Sequence, residues 1–394
     1  MKVVVPQIFD EFHCIGTDCP DTCCVGWLIE IDDASYERFM KLEGEFGEHV
    51  RKNIVEREDG HFFALDEEGK CCFLNKDHLC EMVIQYGDKM LCSLCDNYPR
   101  IGNEYGSLRE MGLSLSCPEV SRLLFSSSRR ILFGEWNTLE KDKTPDYTKD
   151  PIFMTLMDLR DELFGIMQDR RRTICERLCL YLILASQLQE ILDASADGEE
   201  RAKTMERMEA LELRYQDENY IKSLLDSRFK KGETSEKDDI TVLLDCFDEL
   251  EIINPTWRKM HETLASRIRS MTKEELQEMA TAFGQAQNAR AYEYEHLLVY
   301  YIFRYFLKMI FDGDIYSKAA MVAATILYTY LSGALTYKEK GEFTLEDQIK
   351  LQYLYSKEVE HSEENMAVLS QDFWEVDCFD VVSLVRDVTS LICL

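Results

Sequence analysis

The distribution of cysteine constrains this chain of 394 residues more than any other feature of its sequence. Ten of its 15 cysteines lie between Cys14 and Cys117, and only five follow in the longer remainder. The total is odd, and the apolar run at residues 3–6 is far too short for a secretory signal peptide. These observations argue against a disulfide framework and predict a cytoplasmic protein whose clustered thiols bind metal.

The ten cysteines form a short first cluster, a longer second cluster and one distant member. Thiolates are soft ligands that suit zinc, copper(I) and iron–sulfur clusters, and Cys92-x2-Cys95 has the spacing of a standard metal-binding pair. Where two cysteines are adjacent we expect the side chains to diverge, so that usually one of them reaches a given ion. The candidate metal ligands are Cys14, Cys19, Cys23, Cys24, Cys72, Cys80, Cys92, Cys95 and Cys117. The alternative is packing as small buried hydrophobes, which is preferred for the five later cysteines.

Short strands and short helices are predicted in the cysteine-rich segment. We expect an extended arm over residues 3–8 and a half-buried strand over residues 27–32. A helix should begin at residue 33 and end near Gly44. Further expected elements are a hairpin of residues 61–65 and 72–74, a helix over 80–86 and a helix over 120–125.

Helical periodicity runs through almost everything after residue 150. The uncharged stretch 319–337 has the length of a membrane span, but its tyrosines, threonines, serine and glycine favour a buried helix. Consecutive aromatic residues within 292–306 predict a central buried helix, with the wall of a substrate cleft as the alternative. The predicted helices are 152–168, 174–192, 199–229, 240–250, 256–270, 273–283, 290–311, 317–335, 345–359 and 380–393.

Together these patterns predict a mainly α protein with a small cysteine-rich α+β metal-binding segment packed on a large helical body. The expected divisions are a cysteine-rich domain over residues 1–137, a linker over 138–150 and an all-helical domain over 151–394. We find no internal repeat of fixed period.

The charge of the chain limits its partners. Its 74 acidic and 45 basic residues give a formal charge of −29. Such a surface repels phosphate, which excludes nucleic acid and anionic membranes as expected partners. A cationic group, such as a lysine side chain or a sulfonium, would be attracted.

Residues 12–27 resemble the opening of the flagellin lysine-N-methylases, within a wider group that carries a CxxCxxCC-type cysteine cluster thought to chelate zinc or iron. This segment reads FHCIGTDCPDTCCVGW. The resemblance continues at residues 72–74, at Cys80, at 95–100 (CDNYPR) and at 115–119 (LSCPE). It covers about the first 125 residues, and the combination of blocks is specific.

The resemblance implies that the chain methylates lysine side chains on flagellin, the protein of the bacterial flagellum, with S-adenosylmethionine as donor. It also implies that the cysteines hold an iron–sulfur cluster of the [4Fe–4S] type, with zinc as the alternative. The spacing of the cysteines alone supports a thiolate metal site and no more.

Two common arrangements for S-adenosylmethionine are missing from the sequence. Radical use of this donor usually goes with Cys-x3-Cys-x2-Cys; Cys19 and Cys23 match the first two members, but the third position is Gly26. No Gly-x-Gly-x-Gly follows a predicted strand. The donor must therefore bind through another arrangement. The chemistry does not demand a radical, since a deprotonated lysine amine can attack the sulfonium methyl group in a polar displacement; the choice between polar and radical mechanisms stays open.

The candidate site residues lie close to the cysteines. Tyr98 and Asp32 are the candidate catalytic residues, because an aromatic wall, a tyrosinate or a carboxylate would stabilise the cationic donor. Arg100 and Glu119 are the candidate donor-binding residues, with a structural ion pair as the alternative for Arg100. One rival function is a metal-holding sensor that docks proteins; another is a thiol redox enzyme, which the missing βαβ pattern disfavours.

Overall fold

A computed structural model describes residues 1–58, 60–77, 79–140, 145–196, 198–228 and 237–394 of the chain. The strands in this part are β1 (Lys2–Pro6), β2 (Glu30–Ile31), β3 (Ile54–Arg57), β4 (Gly60–Phe63), β5 (Arg100–Glu104), β6 (Leu108–Leu113) and β7 (Phe133–Asn137). The helices among them are α1 (Ile8–Glu11), α2 (Asp33–Met40), α3 (Gly44–Lys52), α4 (Glu81–Tyr86), α5 (Ser93–Asn97) and α6 (Pro118–Phe125).

Helices make up the remainder of the described chain. They are α7 (Pro151–Met167), α8 (Ile174–Ala196), α9 (Arg201–Gln216), α10 (Glu218–Arg228), α11 (Lys237–Asp248), α12 (Pro255–Ser270), α13 (Lys273–Gln287), α14 (Tyr292–Tyr305), α15 (Met309–Asp312), α16 (Tyr316–Lys340), α17 (Leu345–Val359), α18 (Glu363–Glu375) and α19 (Val381–Leu391). The predicted mainly α class with a small β component is therefore confirmed.

The strands form two small sheets. In the first, with strand order β5-β6-β1-β7, β1 runs parallel to β6 and antiparallel to β7, so that Val3 lies between Arg109 and Trp136. In the second, with order β2-β4-β3, β4 pairs antiparallel with both neighbours. The first sheet is built from the beginning and the end of the cysteine-rich part, and the second is built from residues 30–63 between them.

Two hydrophobic cores lie beneath these sheets. The larger core joins Leu108 and Leu113 of β6 and Val120 of α6 to the helices of the body. A bidentate ion pair between Glu110 of β6 and Arg160 of α7, with both side chains at most 5% exposed, fixes the sheet to that body. The smaller core lies under the second sheet and is built from aliphatic and aromatic side chains together with buried cysteines.

Helix α16 is the centre of the helical body. It is long and apolar enough to cross a membrane, but 94% of its most apolar window is buried inside the protein. It packs against α8, α13, α17 and α18. The predicted buried helix over 319–337 is confirmed, and so is the buried aromatic helix, since Tyr294 and Tyr301 of α14 are at most 1% exposed.

Most predicted elements are present, with differences that have local causes. The helix predicted over 199–229 divides at Asp217, where the backbone is extended between α9 and α10. The hairpin predicted over 61–65 and 72–74 is present only near its turn: the Cys72 N–H donates to the Ala64 carbonyl at 3.0 Å, beside a bridge between Leu65 and Cys71. The strand β4 itself pairs with β3 and β2. The strands β3, β5, β6 and β7 and the helices α1, α3, α5 and α18 were not predicted.

The predicted linker over 138–150 is only partly within the described chain. Residues 141–144 lie outside the described residues. The remainder contains a short 3-10 turn at Tyr147–Lys149 and the N-cap of α7, where the Asp150 carboxylate accepts from the Ile152 N–H. The division of the chain into domains at this point stays a prediction.

Candidate functional site

Backbone pairing brings the two cysteine clusters together. The Cys71 N–H donates to the Cys24 carbonyl at 2.8 Å, beside a bridge between Val25 and Lys70. A further bridge joins Leu74 to Cys80. Segments that are almost 50 residues apart in sequence therefore lie side by side above the smaller core. Cys71 and Cys92 are buried in that core, and Cys24, Cys72, Cys80 and Cys95 pack against it.

Three of the cysteines occupy helix N-caps: Cys80 before α4, Cys92 before α5 and Cys117 before α6. Backbone N–H groups of the following turn point at a sulfur in this position and stabilise its thiolate. A bond from the Cys95 thiol, helped by these N–H groups, lowers the pKa of Cys92 to about 7. At Cys80 and Cys117 the effect of burial is larger than that of the N–H groups, so the pKa of both thiols is raised, that of Cys117 to about 12.

Several thiols contact one another in pairs. Hydrogen bonds join Cys23 to Cys24, Cys71 to Cys72 and Cys92 to Cys95, and they raise the pKa of the Cys23, Cys71 and Cys95 thiols. We expected adjacent cysteines to diverge. They converge here because Cys23 and Cys24 lie in a bend and Cys72 begins a turn directly after the bridge residue Cys71, so the side chains do not alternate as they do along an extended strand.

The donor set fits a thiophilic metal by its chemistry, since six of the ten free thiols between Cys14 and Cys117 lie in or against the smaller core. Within the described residues, however, no three His, Cys, Asp or Glu side chains are placed to hold one ion together. Cys14 and Cys23 are exposed, whereas Cys117 belongs to the larger core. Among the later cysteines, Cys175, Cys179, Cys246 and Cys378 are buried as expected, and Cys393 is exposed.

A cavity of about 500 Å³ opens beside Cys23, between the loop of residues 14–27, which we call the cysteine loop, and the helical body. The loop lines one side with residues from Asp21 to Trp27, and Tyr98 adds to this side. Residues 253–256 at the start of α12 and the end of α17 line the other. The buried Lys357 of α17 donates to the Asp21 carboxylate and, at 2.7 Å, to the Thr22 carbonyl, which holds the loop on the body.

Three aromatic side chains meet at this cavity: Trp27, Tyr98 and His361. We call them the aromatic wall. The ring of Trp27 lies 4.6 Å from that of His361 and 5.9 Å from that of Tyr98, and the last two lie 5.8 Å apart. The Trp27 indole N–H donates to the Cys23 carbonyl at 2.7 Å, and the Tyr98 hydroxyl bonds to the Ser116 hydroxyl at 3.1 Å.

The aromatic wall is uncharged at neutral pH. Burial, with the nearby Arg304 and Lys357 charges, lowers the pKa of His361 to about 4. Burial and the neighbouring Cys117 raise the pKa of Tyr98 well above its usual value. Tyr98 is therefore a neutral phenol here, which fits the predicted aromatic wall and not a tyrosinate.

The end of α17 is fixed from beneath by a buried network around Glu360. Its carboxylate accepts hydrogen bonds from the hydroxyls of Tyr300, Tyr301 and Tyr305 at 2.9–3.2 Å. Arg304 forms an ion pair with the same carboxylate at 2.8 Å. Because His361 follows Glu360 directly, this network sets the position of the His361 ring at the cavity.

Asp32, Arg100 and Glu119 do not line the cavity as described. Asp32 caps α2 and also accepts from the Ser93 N–H, so it joins that helix to the Cys92 segment; its pKa is lowered by the Ser35 hydroxyl. The Arg100 guanidinium lies 5.5 Å from the ring centre of Phe12. The buried Glu119 carboxylate accepts two hydrogen bonds from the Arg122 guanidinium. Their predicted roles stay predictions.

Two cavity residues, Lys357 and His361, were missed from the sequence. They lie more than 330 residues from the loop that they contact, and no local pattern marks them. Trp27 could have been identified from the sequence, because it is an aromatic residue only three positions after Cys24.

Comparison with known proteins finds a family match for the helical body. Residues 160–386, more than half of the chain, match the family described as FliB lysine N-methylase C-terminal domain. This range starts within α7 and ends within α19, so it includes the helical side of the cavity. No solved structure was found to match the chain.

Curated relatives share a part of the chain. The flagellar biosynthetic protein FliU of Salmonella muenchen is 27% identical over 141 residues, which are 34% of this chain and 83% of that protein. The lysine-N-methylases of Salmonella typhimurium and Salmonella choleraesuis are each 24% identical over 147 residues, or 36% of this chain. The chain spans only 37% of the length of each lysine-N-methylase. Because the family match extends over more than half of its length, the chain belongs to the FliB lysine N-methylase family.

Proposed function

We propose that this protein transfers methyl groups from S-adenosylmethionine to lysine side chains of flagellin. The observation that carries the proposal is the family match over residues 160–386, which connects the helical body with lysine methylation. The flagellar name of one relative and the net charge of −29, which attracts lysine-bearing surfaces, support flagellin as the substrate.

The cavity beside Cys23 is the best candidate for the site of this reaction. Its volume of about 500 Å³ falls within the range of roughly 300–1,000 Å³ that is usual for small-molecule sites. A second cavity, of about 220 Å³, lies between the first sheet and α14 and is lined largely by aliphatic and aromatic residues. It is smaller, and no cysteine lines it.

In the proposed reaction the lysine amine, once it has lost a proton, attacks the methyl carbon of the sulfonium. A nitrogen–carbon bond forms while the sulfur–carbon bond breaks, and the electron pair of that bond stays on sulfur as a neutral thioether. The protein must align the two reactants and keep water out. The aromatic wall and the adjoining start of α12 supply a partly enclosed, uncharged surface for this purpose.

We also propose that the cysteines hold a [4Fe–4S] cluster or zinc, with Cys14, Cys19, Cys23, Cys24, Cys72, Cys80, Cys92, Cys95 and Cys117 as candidate ligands. The N-cap position of Cys92 supports this, because the pKa of its thiol is lowered to about 7. An iron–sulfur cluster would supply electron transfer, whereas zinc would supply a structural cross-link. Binding would have to add further thiolates to one of the contacting pairs.

Protein prepared without oxygen tests the metal proposal. We expect a broad charge-transfer absorption that dithionite bleaches, and metal analysis should show iron. Replacing Cys23 or Cys95 by Ser should reduce both metal content and soluble yield, because site formation and folding are coupled. Replacing Cys246 or Cys393 should change neither. Stoichiometric zinc in colourless protein would favour a structural site instead.

The methyl transfer is tested with labelled S-adenosylmethionine and purified flagellin. We expect label on lysine residues, located by mass spectrometry, and none on flagellin whose lysines were acetylated beforehand. Transfer should need no external reductant and should increase with pH toward the pKa of free lysine, about 10.4. Formation of 5′-deoxyadenosine with a strict need for an electron donor would exclude the polar displacement. Tight binding of flagellin without transfer would identify a docking protein instead.

A further inference from the structure

We propose that the aromatic wall of Trp27, Tyr98 and His361 binds an onium group, either a methylsulfonium or a methylated ammonium. This inference rests on the proposed function, because both cations occur in lysine methylation: one on the donor and the other on the product. The faces of aromatic rings attract such cations through their quadrupole, and quaternary ammonium recognition in proteins uses this interaction.

The first argument is that the rings come from three distant segments and converge on one cavity. Trp27 follows the first cysteine cluster, Tyr98 ends α5, and His361 follows α17. All three line the cavity, and Trp27 and His361 are each partly exposed. Packing alone would explain contact between the rings. It does not explain why a cavity of about 500 Å³ remains open beside them.

The second argument is that the rings are held in place. The Trp27 indole is tied to the Cys23 carbonyl, and the Tyr98 hydroxyl is tied to Ser116. The Glu360 network, through Tyr301 and Arg304 among others, holds the residue before His361. Rings that are fixed before the ligand arrives lose little conformational entropy on binding, which favours affinity.

The third argument is electrostatic. Two cationic side chains line the cavity, but each is already paired: Lys357 with Asp21, and Lys70 with Glu68. His361 carries no charge at neutral pH. The charges in the lining therefore balance, and no unpaired cation is left among these residues to attract an anion or repel an onium group. The aromatic surface is the feature that discriminates between ligands.

The test measures binding and does not need catalysis. Isothermal titration calorimetry on the full chain compares S-adenosylmethionine with S-adenosylhomocysteine, which lacks the methyl group and the charge, and trimethyllysine with uncharged-side-chain norleucine. We expect at least one onium ligand to bind more tightly than its neutral partner. Trp27→Leu should weaken that onium ligand by about tenfold or more and the neutral partner much less.

Matched variants control for loss of folding and for loss of apolar contact. Trp27→Phe keeps an aromatic face and should retain most of the onium affinity. Trp136→Leu changes a tryptophan of β7, which is 42% exposed and outside the cavity, and should have no effect. If Trp27→Leu does not fold, His361→Leu compared with His361→Phe gives the same contrast.

Each outcome decides the proposal. The onium ligand that responds identifies the source of the cation as the donor or the lysine. Equal losses for onium and neutral ligands, no loss at all, or no onium binding by the wild-type protein would overturn the proposal. Methyl transfer to flagellin together with any of these results would leave the proposed function intact and exclude the aromatic wall alone. Onium discrimination without methyl transfer would do the reverse.

Discussion

At the scale of single residues, the cavity depends on groups whose ionisation burial controls. His361 is the clearest case, since its ring lies against Trp27 and Tyr98 and its pKa is lowered to about 4. The pKa values of the buried His261 and His296 are lowered too, mainly because of desolvation. Because the unfolded chain binds a proton on each of these imidazoles more readily than the folded chain does, acid should destabilise the protein.

We predict that His361→Phe reduces the loss of stability in acid. Above pH 6.5 the ring is neutral in both states and the shift has no effect. As the pH falls from about 6.5 toward 4, the unfolded chain gains a proton that the folded chain refuses, and stability is lost. The free energy of unfolding should fall by up to about 3 kcal/mol less in the variant over this range. Urea unfolding at pH 7.5 and pH 4.5 measures the difference.

Comparison within the same experiment isolates the residue. Glu293 and Glu358 have pKa values that burial raises to about 7, and they change stability in the opposite sense, but both are present in either protein. The two proteins should show the same slope between pH 7 and pH 8. An identical acid loss in both would mean that His361 is protonated in the folded state at its ordinary pKa.

Some of this residue-scale picture could be predicted from the sequence and some could not. The cysteine clusters and Tyr98 stand in local motifs, so they could be identified from the sequence as parts of one candidate region. Lys357 is 336 residues from its partner Asp21, and its role exists only because α17 packs against the cysteine loop. No pattern in one sequence encodes such a pairing.

At the scale of elements, the contact between the cysteine loop and the helical body depends on Gly26. Its φ of +91° lies in the left-handed region that favours glycine. A Cβ added there would lie 2.9 Å from Ile253 Cγ2 and 3.1 Å from the Ile253 carbonyl oxygen. The loop can therefore approach the start of α12 closely only while this position has no side chain.

We predict that Gly26→Ala moves the loop away from the body and weakens ligand binding at the cavity by about tenfold, because both the backbone conformation and the contact become unfavourable. Gly16→Ala is the matched control: its φ is +55°, but nothing lies within 4 Å of the added Cβ. Hydrogen exchange over residues 14–27 and S-adenosylmethionine titration measure both variants. Equal effects of the two substitutions would show that strain alone, and not contact with Ile253, is responsible.

A second prediction at this scale concerns the interior of α16. Gly333→Ala would place a Cβ 2.6 Å from the ring of Phe283, which is fully buried and has no room to move. Overpacking of this kind should lower the free energy of unfolding by about 1–3 kcal/mol. Gly165→Ala in α7 meets nothing within 4 Å and should raise it by about 0.5–1 kcal/mol, since alanine is the better helix former. Denaturant midpoints compare the two variants. A neutral Gly333→Ala would contradict the packing of α16 against α13.

The strand β6 shows why sequence analysis missed an element. Its inward positions include Leu108, Glu110 and Gly112, so the apolar alternation of a strand is hidden. Glu110 is buried only because Arg160 reaches it from α7. Gly112 has no side chain to continue the apolar alternation. Most of the long helices, by contrast, carry uninterrupted periodicity, and they were predicted even where an end was displaced by several residues; α18 is the exception.

At the scale of the whole molecule, charge is the property that acts beyond contact distance. The formal charge of −29 spreads over a surface on which many arginines and lysines are already paired, such as Arg269 with Asp245 and Asp248. A lysine-bearing protein should therefore be drawn to this molecule during encounter, whichever group reacts. The two-core architecture adds that the cysteine loop and the helical body must both be folded for the cavity to exist.

We predict that salt slows methylation through association and not through chemistry. Added salt shortens the screening distance from about 30 Å at 0.01 M to about 8 Å at 0.15 M ionic strength, so the attraction between the acidic enzyme and a lysine-bearing substrate weakens. On the proposed function, kcat/KM for flagellin should fall by about tenfold between low salt and 0.5 M salt, while kcat changes much less. A short substrate peptide with one lysine and no other charge should show a smaller fall. A kcat/KM that stays constant or rises with salt would mean that local contacts at the cavity, and not the field of the whole molecule, bring the substrate to the site.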